Sequence, residues 1–378
     1  SPLSPRSHLS PPSPDSEKSY WILWNQLYAQ IGPTRFEQAL KAFGSAKEAW
    51  EAPVQEFYRL GWEEAALEIL GKRENLAVAP ILSSISKLGA DLIAKFDENY
   101  PENLLQITDP PPLLYVRGEL LPRDRLALAV VGSRRATNYG REVVRALVPD
   151  LAAAGLTIVS GLALGIDAEA HRAALQAGGR TIAVLACGID QVYPPSNAEI
   201  AREMVKSGRG AIMTEFPPET PTYPANFPVR NRVISGLSLG TLVIEAAGGS
   251  GTFHTVSSAL EQGREVFAVP GSIFSPYSAG CAKLIEQGAK PVTCAADVLE
   301  ELEVSAENLR QEFRETAPSA PEEKEMLALM GSDELHIDEL VRHSKLDTAK
   351  VSSLLTVMEM KGLVRHLGGG IYQTVARG

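Results

Sequence analysis

Long apolar runs are missing from this chain. No stretch of 18 or more consecutive apolar residues occurs in its 378 residues, so nothing reads as a membrane-spanning helix. Cysteine is scarce. Cys187, Cys281 and Cys294 are an odd number, far apart and without CxxC spacing, which excludes a disulfide scaffold or a zinc site. They fit a reduced, cytoplasmic protein. Positive charge is also in short supply: 36 Lys and Arg face 46 Asp and Glu, for a net charge of -10. Bulk electrostatic attraction to nucleic acid is thereby excluded, and any anion site must be local. The pattern GxGxxG is absent, so a dinucleotide cofactor gains little support and no cofactor is expected.

What is present bounds the architecture. The length suggests two or three domains, and 44% hydrophobic residues suffice for a real core. Residues 1–16, "SPLSPRSHLSPPSPDS", are rich in Ser and Pro without an apolar stretch. They read as a disordered tail rather than a signal peptide. Residues 17–75 carry apolar residues at helical spacing in short segments that stop at glycines. They read as a small helical domain, either a helix-hairpin-helix-like DNA binder or a packing module. Residues 76–124 are transitional and end near a strand-like "LLYVRG".

From about residue 125 the rhythm changes. Six apolar strand candidates, at 126–131, 156–160, 181–186, 211–214, 241–246 and 265–269, alternate with amphipathic segments. That alternation predicts a parallel sheet covered on both faces, a Rossmann-like doubly wound α/β domain within residues 76–303. Residues 304–322 are polar and read as a linker. Residues 323–378 predict three helices and a glycine-turned hairpin, a winged-helix pattern. Its third helix offers Lys350 and Lys361 beside Asp347 and Glu359, so it reads as either a DNA reader or a protein-interaction cap.

Ligands of open parallel sheets bind outside the carboxyl ends of the strands. After the first strand comes "GSRRATNYG", with Gly132, Ser133 and Arg134, either an anion cradle or merely a tight turn. After the second comes "SGLALGIDAEAH", with Ser160 and Gly161; Asp167 is expected to N-cap the next helix and His171 to be structural. After the fifth comes "EAAGGSGTFHT", and after the sixth a loop leading to Lys283. Together these describe a long anion-binding rim.

Between the fourth and fifth strands lies "TYPANFPVRNRVISGLS", read as a loop. It holds Asn226, Phe227, Arg230, Asn231 and Arg232, and no Asp or Glu occurs between Glu219 and Glu245. Arginines bind phosphates in a bidentate way, and a phenylalanine can stack on a base. The pattern suits a single-stranded nucleic acid, unless Phe227 is a core residue beneath the loop. On this reading Arg134→Ala or Arg230→Ala weakens binding with little change in melting temperature. Arg232 either joins the site or holds the loop through a buried carboxylate.

The strings "YPENLLQITDPPPLLYVRG", "SGLALGIDAEAHRAAL", "GGRTIAVLACGIDQVYPPSN", "NFPVRNRVISGLS" and "GREVFAVPG", in that order, resemble the DNA processing protein A family (DprA, also called Smf). The resemblance implies a non-enzymatic protein that binds and protects incoming single-stranded DNA and loads the RecA recombinase in natural transformation. It implies a homodimer formed through the Rossmann-like domain. Carried over by motif, it places Gly132, Ser133, Arg134, Phe227, Arg230, Asn231 and Arg232 along the DNA site, with Ser160 and Gly161. The chain departs from the family at Ser250 to Thr255 and at Ala282. The first departure also resembles the "PGGxGTxxE" of lysine-decarboxylase-like phosphoribohydrolases. Thr255 stands where those enzymes carry a glutamate, and no carboxylate lies between Glu245 and Glu261. That chemistry then lacks its acid–base group. A transcription factor acting through the winged helix is a third reading, disfavoured by the mixed charge of its third helix.

Overall fold

The computed structural model describes residues 16–303, 321–330, 334–344, 346, 348–360, 364–368 and 370–374. The expected tail, apart from Ser16, and the expected linker up to residue 320 lie outside the described residues. The chain divides into two compact units, residues 1–298 and 299–378.

The first unit opens with helices α1 (Glu17–Phe43), α2 (Ala46–Glu51), α3 (Val54–Arg59), α4 (Glu64–Gly71) and α5 (Ala79–Leu88). Gly32, at φ 78° and ψ 162°, breaks α1 just before Pro33. Proline has no N–H to donate and clashes with the preceding turn, so the apolar period restarts there. Next come β1 (Ala90–Ala94), α6 (Glu102–Leu105), β2 (Leu113–Gly118), β3 (Ala127–Val131), α7 (Asn138–Ala153), β4 (Thr157–Ser160), α8 (Ile166–Gln176) and β5 (Thr181–Val184). They are followed by α9 (Ala198–Lys206), β6 (Gly210–Thr214), α10 (Asn226–Gly236), β7 (Gly240–Val243), α11 (Thr252–Glu261), β8 (Glu265–Ala268), α12 (Ala279–Glu286), β9 (Lys290–Pro291) and α13 (Ala295–Glu301).

These strands form one sheet in the order β1-β2-β6-β5-β4-β3-β7-β8-β9. The six strand candidates are β3 to β8, all parallel to their neighbours within that run. An antiparallel pair, β1 with β2, extends the sheet beyond β6. The chain winds outward from β3 to β6, then returns to place β7 on the other side of β3. The winding therefore reverses between β3 and β7, where a crevice opens at the carboxyl edge.

Strand residues alternate between two cores. In β2, Leu113 and Tyr115 join the core shared by α1, α8 and α9, while Leu114 and Val116 join the core under α10, α11 and α12. The N-terminal helices are thus built onto one face of the sheet. Tyr115 donates its hydroxyl to Asn25 Oδ1 at 2.7 Å, and Asn25 Nδ2 donates to the Glu215 carbonyl at 3.2 Å.

The second unit contains α14 (Pro321–Met330), β10 (Glu334–His336), α15 (Ile337–Ser344), α16 (Thr348–Met360), β11 (Val364–Gly368) and β12 (Ile371–Thr374). Its antiparallel sheet runs β10-β12-β11 over a core of Met326, Met330, Leu340, Val351, Leu355, Met358 and Val364. Three helices and a hairpin make it a winged helix. Among the described residues of both units, no helix is long and apolar enough to cross a membrane.

His171 of α8 is structural, as expected. It is fully buried, with Nδ1 2.7 Å from Thr181 Oγ1. Thr181 donates its own hydroxyl proton to the Ile158 carbonyl, so the imidazole proton sits on Nδ1. Burial, reinforced by Arg230 and Arg172, lowers its pKa from 6.5 to about 3. Between those values the unfolded chain binds the extra proton, so stability falls as pH falls below 6.5. Urea unfolding of the protein and of His171→Leu checks this. The protein should lose about 1.4 kcal/mol per pH unit relative to the variant across that window.

Candidate nucleic-acid interface

The loop after β3 is tied to the end of β7. Ser133 N donates to the Glu245 carbonyl at 2.8 Å. The buried Glu245 carboxylate accepts from Thr137 N at 3.0 Å and from the Thr137 hydroxyl. Thr137 in turn caps α7, accepting from Gly140 N at 3.2 Å. Ser133 Oγ accepts from Arg135 N at 3.0 Å, so its hydroxyl shapes the loop. Held this way, the loop directs the exposed Arg134 and Arg135 toward the crevice.

The stretch read as a loop contains the whole of α10, and "NFPVRNR" forms its first two turns. Pro228 is tolerated there because first-turn N–H groups have no partner within the helix. Helical geometry then sorts the side chains. Phe227, Arg230 and Ile234, three and four residues apart, share the face that lines the crevice. Arg232, two residues on from Arg230, points about 200° away.

Arg230 is 5% exposed. Its Nη1 donates to the Gly161 carbonyl at 2.8 Å and the Val184 carbonyl at 2.6 Å, and its Nε donates to Asn231 Oδ1 at 3.1 Å. Burial lowers its pKa from 12.5 to about 10, with Asp167 opposing, so it stays charged at neutral pH. Gly161 is glycine for a steric reason: a Cβ there would lie 2.7 Å from the Arg230 guanidinium. Gly165, at φ +81°, is glycine for two, since its Cβ would also meet the Ser133 carbonyl at 2.2 Å. Arg134 lies over the Phe227 ring at 4.7 Å and Arg230 within 5.7 Å of its centroid, cation–π contacts that leave the ring half-buried.

The result is a cleft of about 600 Å³ between β3 and β7. Gly132, Ser133, Arg134, Phe227, Arg230 and Asn231 line it. The loop at 250–255 contributes Ser250, Gly251, Thr252, His254 and Thr255. Three lining arginines, Arg134, Arg135 and Arg230, face one lining carboxylate, Asp167. Asp167 does not N-cap α8. Its Oδ2 accepts from Gly161 N at 3.1 Å across the loop, and burial raises its pKa against the pull of Arg230.

Other sequence-derived positions fall elsewhere. Arg232 ion-pairs with the buried Glu215 at 2.5 Å and with Asp109 at 3.2 Å, and donates to the Asp109 carbonyl at 2.7 Å. It is a structural residue off the cleft, and the stretch is not without neutralising carboxylates. Ser160 is buried and donates to the Val130 carbonyl at 2.6 Å. Asn226 is buried and donates to the carbonyls of Ala186 at 3.0 Å and Pro221 at 3.3 Å. Gly161 borders a small recess beside the cleft through its contact with Arg230. Lys283 is exposed on α12 and does not line the cleft. Sequence reasoning missed Tyr193, which meets Phe227 edge-on with ring centroids 6.2 Å apart. No local pattern marks that proximity across 34 residues.

Fold and cleft together define a class. It is an open, mostly parallel α/β protein with a cationic cleft at the reversal point of its sheet, followed by a winged helix. The chain belongs to the DNA processing protein A family. Residues 91–303 match the model for DNA recombination-mediator protein A, and residues 311–370 match the DprA winged helix domain. The chain is 45% identical to the DNA processing protein DprA of Bacillus subtilis over 224 residues, 59% of this chain and 74% of that one. The X-ray structure of DNA processing protein A from Streptococcus pneumoniae superposes with a TM-score of 0.64 at 34% identity. The match covers 75% of this chain and 97% of that one. DNA processing protein A from Helicobacter pylori, a protein with a single-stranded DNA binding mode, gives 0.51 at 29% identity, covering 57% and 95%.

The two α10 arginines separate in unfolding experiments. Arg232→Ala strands the buried Glu215 carboxylate, so urea denaturation should show a loss of about 3–5 kcal/mol. Arg134→Ala, at an exposed side chain, should stay within about 0.5 kcal/mol of the parent. Arg230→Ala leaves the Gly161 and Val184 carbonyls and Asp167 without their partner. From this geometry a nearly unchanged melting temperature is expected for Arg134→Ala and a lowered one for Arg230→Ala.

Proposed function

We propose that the chain binds single-stranded DNA in the cleft between β3 and β7, protects it, and loads the RecA recombinase onto it during natural transformation. In this reading the protein is cytoplasmic, works without a cofactor and dimerises through the Rossmann-like domain. The observation that carries the DNA assignment is the concentration of Arg134, Arg135 and Arg230 in the cleft that Phe227 lines, in a chain of net charge -10. Phosphates supply the negative charge that the cleft lacks, and the backbone N–H groups of the glycine-rich loops add neutral donors. The Helicobacter pylori relative supports single strands as the ligand. Membership in a family of recombination mediators supports the recombinase role.

The proposed role is not catalytic. Thr255 lines the cleft where the resembling hydrolases carry a glutamate. Asp167, the lining carboxylate, is buried and engaged by Gly161 N–H. A hydrolytic site would need a carboxylate facing the sugar and free to exchange a proton.

The test is fluorescence anisotropy with oligo-dT against duplex of equal length across a salt series. Expected are preference for the single strand, an affinity that falls steeply with salt, and a slope reduced by about 0.7 in Arg134→Ala. Equal affinity for duplex, or binding retained in full by Arg134→Ala, would overturn the assignment to this cleft. The recombinase step is tested by adding RecA to the protein–strand complex. RecA filaments should form sooner than on the strand coated with single-strand-binding protein alone.

A further inference from the structure

Beside the main cleft lies a small recess that shares Arg134, Phe227 and Arg230 with it and has Tyr193 and Leu164 at its edge. Tyr193 is 49% exposed and Leu164 is 50% exposed. Large apolar side chains this open, next to a cationic cleft, leave surface that a flat apolar ligand would cover. The Phe227 ring itself is already partly occupied, because Arg134 lies over it and Arg230 is close by. Tyr193 therefore adds a more open aromatic surface beside the half-buried Phe227 ring at this end of the cleft.

We propose that Tyr193, flanked by Leu164, is a second stacking position for an unpaired base of the strand whose phosphates occupy the cleft. The inference rests on the reading of that cleft as a single-strand site. Size decides how the base would sit. The recess holds about 60 Å³, room for about two waters at roughly 30 Å³ each. A nucleobase cannot enter it and lies across its mouth, against the Tyr193 ring and the Leu164 side chain. Its hydrogen-bonding edge then meets no reading pocket, so binding at this position is tolerant of sequence.

Ring geometry supplies a source of single-strand preference. Tyr193 and Phe227 have centroids 6.2 Å apart and planes inclined by 66°. Neighbouring bases in a stacked strand are parallel and about 3.4 Å apart. Bases resting on the two rings must therefore be unstacked from each other and turned. A single strand does this readily, whereas a duplex must first break pairing and stacking at that step. Arg134 and Arg230 line the same recess and supply positive charge for the strand's phosphates beside it.

The experiment uses the full chain and oligo-dT carrying one 2-aminopurine, read by anisotropy and by 2-aminopurine emission across a salt series. Expected is a loss of about tenfold in affinity for Tyr193→Ala, with the salt slope unchanged because no phosphate contact is removed. Emission quenched on binding to the parent should recover in Tyr193→Ala and stay quenched in Tyr193→Phe. Parent-like affinity and quenching in Tyr193→Ala would overturn this inference and leave the cleft reading intact. Absence of single-strand preference in the parent, or no effect of Arg134→Ala, would overturn the cleft reading and this inference with it. If Tyr193→Ala melts well below the parent, Leu164→Ser reads the same ledge from its other side. Unchanged affinity and quenching there would also overturn the proposal.

Discussion

One buried guanidinium organises the carboxyl edge of this sheet. Arg230 donates to the Gly161 carbonyl just past β4 and to the Val184 carbonyl at the end of β5, fastening α10 across two strand ends. A buried charge without partners is strongly unfavourable, so its position is fixed by those carbonyls and by Asp167. The neighbours inherit the constraint. Gly161 has no room for a side chain, Phe227 is set one turn back on the same helical face, and Arg134 finds a ring to lie over. The cleft is therefore shaped by contacts within the chain itself.

The same helix separates two uses of arginine. Arg230 faces the cleft, donates to two neutral carbonyls and is offset electrostatically by the buried Asp167. Arg232 faces the opposite way and is compensated by Glu215 and Asp109. Its work is to join α10 to the segment before β2 and to the end of β6. Asn25 of α1 bonds the Glu215 carbonyl, so the N-terminal helices brace the same strand end. The acidic surface and the basic cleft are complementary features of one molecule. A net charge of -10 disfavours indiscriminate contact with nucleic acid, and the arginines are concentrated locally in the cleft.

Much of the fold was legible in the chain. The six apolar runs that became β3 to β8, the break at Gly32-Pro33 and the hairpin of the winged helix all follow from periodicity and turn chemistry, which act over a few residues. The antiparallel extension was legible in half, through "LLYVRG". Its partner β1 is short, and only pairing with β2 makes it a strand. The site was legible as a collection of loops, because ligands of doubly wound sheets gather at the carboxyl edge. Gly132, Ser133, Arg134, Phe227, Arg230 and Asn231, picked out this way, all line the cleft.

Tertiary structure decided what each charged or aromatic residue there does. "NFPVRNR" reads as a loop because of its prolines, yet it begins a helix whose turn sends Arg232 away from Arg230. The local sequence holds no carboxylate, yet Asp109 reaches Arg232 across 123 positions and the Gly161 carbonyl reaches Arg230 across 69. Tyr193 met Phe227 without any signal between them. Composition and periodicity determined the layers, the sheet and the edge where a ligand would sit. Which arginine is ion-paired off the cleft and which lines it depended on long-range partners, because burial and ion pairing are set by chain segments that no local pattern records.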